Sequence, residues 1–308
     1  MTPLRHALEE YLSLRRALGY RLQRSEKLLH QFIDFLEAAG AQTITTRHAV
    51  AWACQPGNGG TNWRAHRLSV VRVFANYLHA VDATAEVPPR DLLPCRPSRA
   101  SPYLYAEHEI AALIEAASRL RSPLRAATYQ SLIGLLAVTG MRVGEAIGLD
   151  RHDFDAGHGV LVIRHAKFNK TRELPLHPTT VAALRRYLAC SHRERAAARI
   201  PALFISTAGT RLLYCNVQWT FQRLARQAGL EPRTARCRPR IHDLRHAFAV
   251  STLLDAYRDG SNPHQRLTLL STYLGHVDPA ASYWYLSAAP ELLAKAAERL
   301  ERQRGAKP

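Results

Sequence analysis

The chain has 308 residues, and 42 Lys+Arg against 25 Asp+Glu give a formal charge of +17. Hydrophobic residues at 47% and charged residues at 22% are ordinary globular values, which excludes a wholly disordered or collagen-like chain. So large a positive excess points to a polyanion, nucleic acid first and an acidic membrane surface second; a merely solubilising surface is the plain alternative.

The N-terminal stretch MTPLRHALEEYLSLRR carries acids and no apolar core, so no secretory signal is expected. Leu4, Ala7, Leu8, Tyr11, Leu12 and Leu14 keep a helical period, and so do Leu28, Leu29, Phe32, Ile33 and Leu36. Gly40 stops that second helix, and Thr45–Thr46 cap a short third one reaching Trp52. After the loop QPGNGGT, a fourth helix over 62–80 sets Arg64, Arg67 and Arg72 beside an apolar face of Leu68, Val71, Phe74 and Leu78. Those three arginines are the candidates for DNA contact in the first half. With no strand signal, residues 1–85 read as a four-helix module. Pro88, Pro89, Pro94, Pro97 and Pro102, broken by Arg90, Arg96 and Arg99, make 86–103 an extended linker.

The second domain, 104–308, mixes types. Helices are expected over 105–117 and 124–138, the latter nearly all apolar and so buried. The apolar run 126–141 is too short and too polar to span a bilayer. A turn at 155–159 leads to a strand over 160–164, and a polar tip, HAKFNKT, to a returning strand over 172–176 that Pro175 places at an edge. Helices follow over 179–188, 216–228, 242–254, 265–274 and 290–302. The fold class is therefore mainly α with a small antiparallel β-sheet, α+β, in two domains. Five dispersed cysteines without a CxxC pair argue against a disulfide framework or a zinc ribbon and fit a reducing, cytoplasmic setting.

Four separated clusters suit phosphodiester chemistry. In TGMRVGEAIGL, Arg142 follows a helix-ending glycine, and Glu145 stands three residues on to hold its guanidinium; the plain alternative is a helix-start ion pair without function. At the hairpin tip, Lys167 or Lys170 can protonate a leaving oxygen, since ammonium yields its proton more readily than guanidinium. With only five lysines in the chain against 37 arginines, two lysines three apart stand out, although a solvated turn is the common explanation. After the basic run Arg233, Arg236, Arg238 and Arg240 comes IHDLRHAFA, where His242, Arg245 and His246 share a helix face. Arg238 and Arg240 are further candidates for DNA contact, as is Lys170. The spacing also resembles the HExxH zinc pair, but Arg245 would put a permanent cation beside the metal, so no metal is expected. Last, LGHVDPAASYWYL sets His276 after a glycine and Tyr285 nine residues on, with Tyr283 as the competing phenol. Packing of the last helix is the plain alternative for these aromatics.

In order and spacing these clusters resemble the tyrosine recombinase (phage integrase) family, whose pattern is Arg in TGxRxxE, Lys on a hairpin, HxxR, then LGH with Tyr nine residues after the His. The matches are Arg142, Lys167, His242 with Arg245, His276 and Tyr285, with Glu145 in support. Phe168 stands where Gly is common, and Trp284 precedes the Tyr. The resemblance covers 105–302, and the helical module before it looks like the family's core-binding domain. It implies a site-specific DNA recombinase that cuts double-stranded DNA by attack of Tyr285 to give a 3′-phosphotyrosyl link, without metal, ATP or other cofactor. It also implies a protein monomeric off DNA and tetrameric on two sites, with the 290–302 helix docked into a neighbour. A type IB topoisomerase and a catalytically silent DNA-binding regulator are the alternatives.

Overall fold

The computed structural model describes residues 2–20, 22–55, 57, 59–95, 100–164, 171–190, 192–193, 200–275, 292–295, 297–298 and 301. The chain divides into two compact units, Met1–Arg99 and Ala100–Pro308.

The first unit is a four-helix module of α1 (Pro3–Ala17), α2 (Gln23–Ala38), α3 (Thr46–Cys54) and α4 (Thr61–His79). Thr2 and Thr45 accept backbone N–H groups from Arg5 and His48, which satisfies two donors that a helix start leaves open. The periodic apolar residues fold inward: Leu8, Leu12, Phe32, Ile33, Leu36, Trp52, Val71 and Phe74 form one core. Glu86 reaches back to this module, its N–H donating to Ile44 O and its carboxylate accepting from Thr46 N. Leu93 packs against the same core. The extended stretch expected from 86 onward is thus anchored to the first unit through its initial residues, proline-rich though it is.

The second unit opens with α5 (Glu107–Ser118) and α6 (Pro123–Thr139), followed by α7 (Val143–Gly148), a one-turn helix the apolar periodicity did not announce. A three-stranded antiparallel sheet follows, in the order β1 (Phe154–Asp155), β2 (Val160–Ile163), β3 (Arg172–Pro175). Leu161 opposes Leu174 and Ile163 opposes Arg172, so Leu161, Ile163 and Leu174 all face the core. Pro175 lies on an edge strand, where its missing donor is harmless. Helices α8 (Pro178–Leu188), α9 (Tyr214–Gln227), α10 (Asp243–Arg258) and α11 (Pro263–Leu274) complete the described elements. Helix α6 runs through the middle of the core, burying Leu132, Ile133, Leu135 and Leu136 and packing on α5, α8 and α10. Its near-uniform apolarity reflects that position. The architecture is mainly helical with one small antiparallel sheet, as the sequence implied. Among the described residues no helix is long and apolar enough to cross a membrane.

Candidate functional site

The site is built where two helices end and two begin. Helix α6 stops at Gly140, whose φ of +57° is a left-handed conformation that L side chains avoid. A Cβ at Gly140 would lie 2.4 Å from the Phe248 ring, so both backbone and packing demand glycine. Two residues on, Arg142 begins α7. Its backbone N–H donates to Glu145 Oε2 and its Nη1 to Glu145 Oε1, both at 2.9 Å. The contact expected from the three-residue spacing is therefore present.

Glu145 has a second partner. Arg172, at the start of β3, donates Nη1 to Oε1 at 3.2 Å and Nη2 to Oε2 at 2.8 Å. One carboxylate thus lies between two guanidiniums. Burial alone would raise the Glu145 pKa, but the hydrogen bonds and charges of Arg172 and Arg142 together hold it below the usual carboxylate range. Glu145 is ionised at neutral pH, and the three groups carry a net single positive charge.

Arg245, in the first turn of α10, is 3% exposed. It donates Nη1 to Gly140 O and Nη2 to Leu274 O, each at 2.9 Å. These carbonyls belong to the C-terminal ends of α6 and α11, where a helix leaves acceptors open and partial negative charge accumulates. One guanidinium therefore fastens the residue two before Arg142 to the residue two before His276. Gly275 follows with φ +68°, and a Cβ there would meet Arg172 Nη1 at 2.9 Å. Glycine at 275 lets the Arg172 guanidinium lie against the backbone.

His242 caps α10 and keeps an exposed face. Its ring stands edge-on to His246, with centroids 5.2 Å apart. Partial desolvation, reinforced by the charges of Arg245 and Arg142, lowers its pKa below the ordinary imidazole value. A neutral imidazole at neutral pH is what a proton acceptor requires. Behind it, Asp243 is fully buried and accepts Arg240 Nε and Nη2, both at 2.9 Å, and the Tyr103 N–H at 3.2 Å. Burial raises the Asp243 pKa, against the pull of Arg240.

The remaining candidates divide. Arg240 is committed to Asp243 by a two-point contact, whereas Arg238 is exposed. In the first unit, Arg67 is corrected from a DNA-contact candidate to a core cation. It is 7% exposed, its Cζ sits 3.7 Å over the Trp52 ring, and Nη2 donates to Trp52 O at 2.7 Å. Arg72 binds Pro88 O, Pro89 O and Arg90 O, and Arg64 donates to Gly57 O. Lys167, Lys170, His276, Tyr283 and Tyr285 lie outside the described residues, as do six of the thirteen positions of 290–302. A grouping of possible metal ligands, Asp150, His152 and Asp153, occurs elsewhere in this unit, but Arg211 and Arg164 already occupy its two carboxylates.

Arg142, Glu145, His242 and Arg245 are gathered at one place by elements far apart in sequence, and the sequence profile of the phage integrase family matches residues 104–291, which contain all four. The chain belongs to the phage integrase family. A protein of Sinorhizobium fredii that carries the name integrase/recombinase y4rB is 45% identical over 309 residues, covering 98% of each chain. The tyrosine recombinase XerC of Pseudomonas aeruginosa PAO1 is 29% identical over 284 residues, covering 90% of this chain and 87% of its own. Among solved structures, the Tn1549 transposon integrase with a circular-intermediate DNA aligns with a TM-score of 0.65 at 16% identity, covering 96% of this chain and 99% of the other. XerH on its palindromic difH substrate, a post-cleavage complex, aligns at 0.62 and 20% identity, covering 90% of this chain and 78% of the other. At such identities the structural likeness speaks for the fold. The family match begins at residue 104, beside Tyr103 and Tyr105, whose backbone and hydroxyl groups dock on Asp243 and Arg240.

Proposed function

We infer that this chain is a site-specific DNA recombinase of the tyrosine type, and we propose how its residues divide the work. Family membership and a full-length relative carrying the integrase/recombinase name support the activity. The observation that carries the chemistry is Arg142, His242 and Arg245 on one surface, with their guanidiniums fixed by Glu145 and by two helix-end carbonyls. Arg142 and Arg245 would grip the non-bridging oxygens of one phosphate and stabilise the charge of a pentacoordinate transition state. His242 accepts the proton of the Tyr285 hydroxyl as that oxygen attacks phosphorus. The bond to the 5′-oxygen breaks, Lys167 protonates that oxygen, and His276 donates a hydrogen bond to the phosphate. The 3′-phosphotyrosyl link conserves the bond energy, so a 5′-hydroxyl of another strand can reverse the step. Fixed cations supply the charge that a divalent ion supplies elsewhere, and the step needs neither metal nor ATP.

The partner is double-stranded DNA, with residues 104–308 as the catalytic part and the helical module as a second DNA-binding part. Exchange uses a homo-tetramer on two sites, assembled in the cytoplasm from protein monomeric off DNA. A duplex nicked near the cut site tests the reading. Wild-type protein should trap it covalently in the presence of a chelator, and Tyr285→Phe should abolish the adduct. An adduct that persists in the variant moves the nucleophile to Tyr283. Absence of any adduct at cognate DNA leaves a silent regulator, and relaxation of supercoils without site preference indicates a topoisomerase.

A further inference from the structure

We propose that Arg172 is a positioning residue for strand cleavage: it acts as the counter-ion of Glu145, so that Arg142 keeps its positive charge for the phosphate. The inference rests on the recombinase reading above. A carboxylate offers about four lone-pair sites, and all four on Glu145 are filled. Oε1 accepts Arg142 Nη1 and Arg172 Nη1, while Oε2 accepts the Arg142 backbone N–H and Arg172 Nη2. The two arginines fill them differently. Arg172 spends both terminal nitrogens in a fork and is 14% exposed, deep beside Gly275. Arg142 spends one terminal nitrogen and is 32% exposed. Among the described residues its Nη2 and Nε meet no acceptor.

Glu145, 8% exposed, is needed to hold Arg142, yet a buried carboxylate paired with Arg142 alone would cancel its charge. Arg172 resolves that conflict. With it the cluster is net positive and the outward arginine carries the surplus; without it the Arg142–Glu145 pair is neutral toward an incoming phosphate. The placement along the chain is apt. Arg172 is two residues past the HAKFNK tip and lies against Gly275, the residue before His276.

The test is single-turnover adduct formation on the nicked duplex. Arg172→Met keeps an apolar stem and loses the charge; adduct formation should slow ten- to a hundredfold while DNA affinity stays within threefold. Removing the uncompensated acid as well should restore Arg142, so Arg172→Met combined with Glu145→Gln should react at least fivefold faster than Arg172→Met alone. A double variant no faster than the single one overturns the charge role, since a purely structural part predicts additive damage. Arg172→Lys keeps the charge without the fork and should stay within about fivefold of wild type; a loss as deep as that of Met also overturns the proposal. Replacing the scissile 5′-oxygen with sulfur removes the need for a leaving-group acid. The Arg172→Met deficit should persist on that substrate, and its disappearance would assign Arg172 to the lysine arm instead. If wild-type protein forms no Tyr285 adduct, the recombinase reading itself fails; a wild-type adduct with full-speed Arg172→Met sinks only this inference.

Discussion

The arginines of α4 and those around α7 and α10 make opposite use of the same side chain. On α4, Arg67 lies over the Trp52 ring and Arg72 is stitched to the carbonyls of residues 88–90. These side chains hold the first unit together and fasten the start of the proline-rich stretch to it. Around α7 and α10, Arg142 and Arg245 are held just as firmly, by Glu145 and by two helix-end carbonyls, and the proposed mechanism turns both toward a phosphate. Both groups are immobilised cations on helices. What separates them is the partner: backbone carbonyls near in sequence in one case, an acid and distant helix ends in the other. A net charge of +17 therefore overstates the cation available to DNA, because several guanidiniums are spent inside the fold.

The largest loss is expected at Arg245. Arg245→Ala strips two buried carbonyls of their donor, which should cost about 3 kcal/mol in chemical denaturation and abolish adduct formation. Retained stability with lost cleavage would show that the staple matters only for chemistry. Gly140→Ala forces a Cβ to 2.4 Å from Phe248 at a left-handed position, for an expected loss of about 2 kcal/mol and a slowed reaction from the shifted Arg142. At α4, Arg67→Met should cost about 1 kcal/mol or somewhat more, because Trp52 O retains the Gln55 N–H as a donor at 3.3 Å. Its DNA affinity should be unchanged, whereas the exposed Arg238→Ala should leave stability intact and flatten the salt slope of binding by about one. The smallest effect is in pH. The depressed His242 pKa keeps the imidazole neutral at pH 7, where an ordinary one would be about one-quarter protonated. Adduct formation should therefore fall at a lower pH than an ordinary imidazole would give, and a fall centred at or above the ordinary imidazole value would remove His242 as the acceptor.

Most of the helical frame was legible because its signal is local. The apolar periods of α1, α2 and α6, the Thr45 cap, the glycine stops and the edge proline each depend on residues within a few positions. The Arg142–Glu145 contact was legible for the same reason, since three residues on a helix start fix the distance. Helix α7 was hidden by its brevity, for six residues cannot display a period. Arg172 was hidden by topology: its fork lands on an acid 27 residues away, and nothing short of the strand order brings β3 beside α7. Arg67 was misread because a basic residue flanking an apolar stripe has the same pattern whether it snorkels outward or folds over a tryptophan.

The partners of Arg245 lie 105 residues before it and 29 after it. During synthesis the second of them does not exist until Leu274 has been joined, so until then this contact cannot form. Fragments ending before Leu274 lack the contact altogether. Assembly of the proposed phosphate clamp is thereby tied to completion of the second unit through α11, and a chain that stops short of Leu274 lacks one of its fastenings.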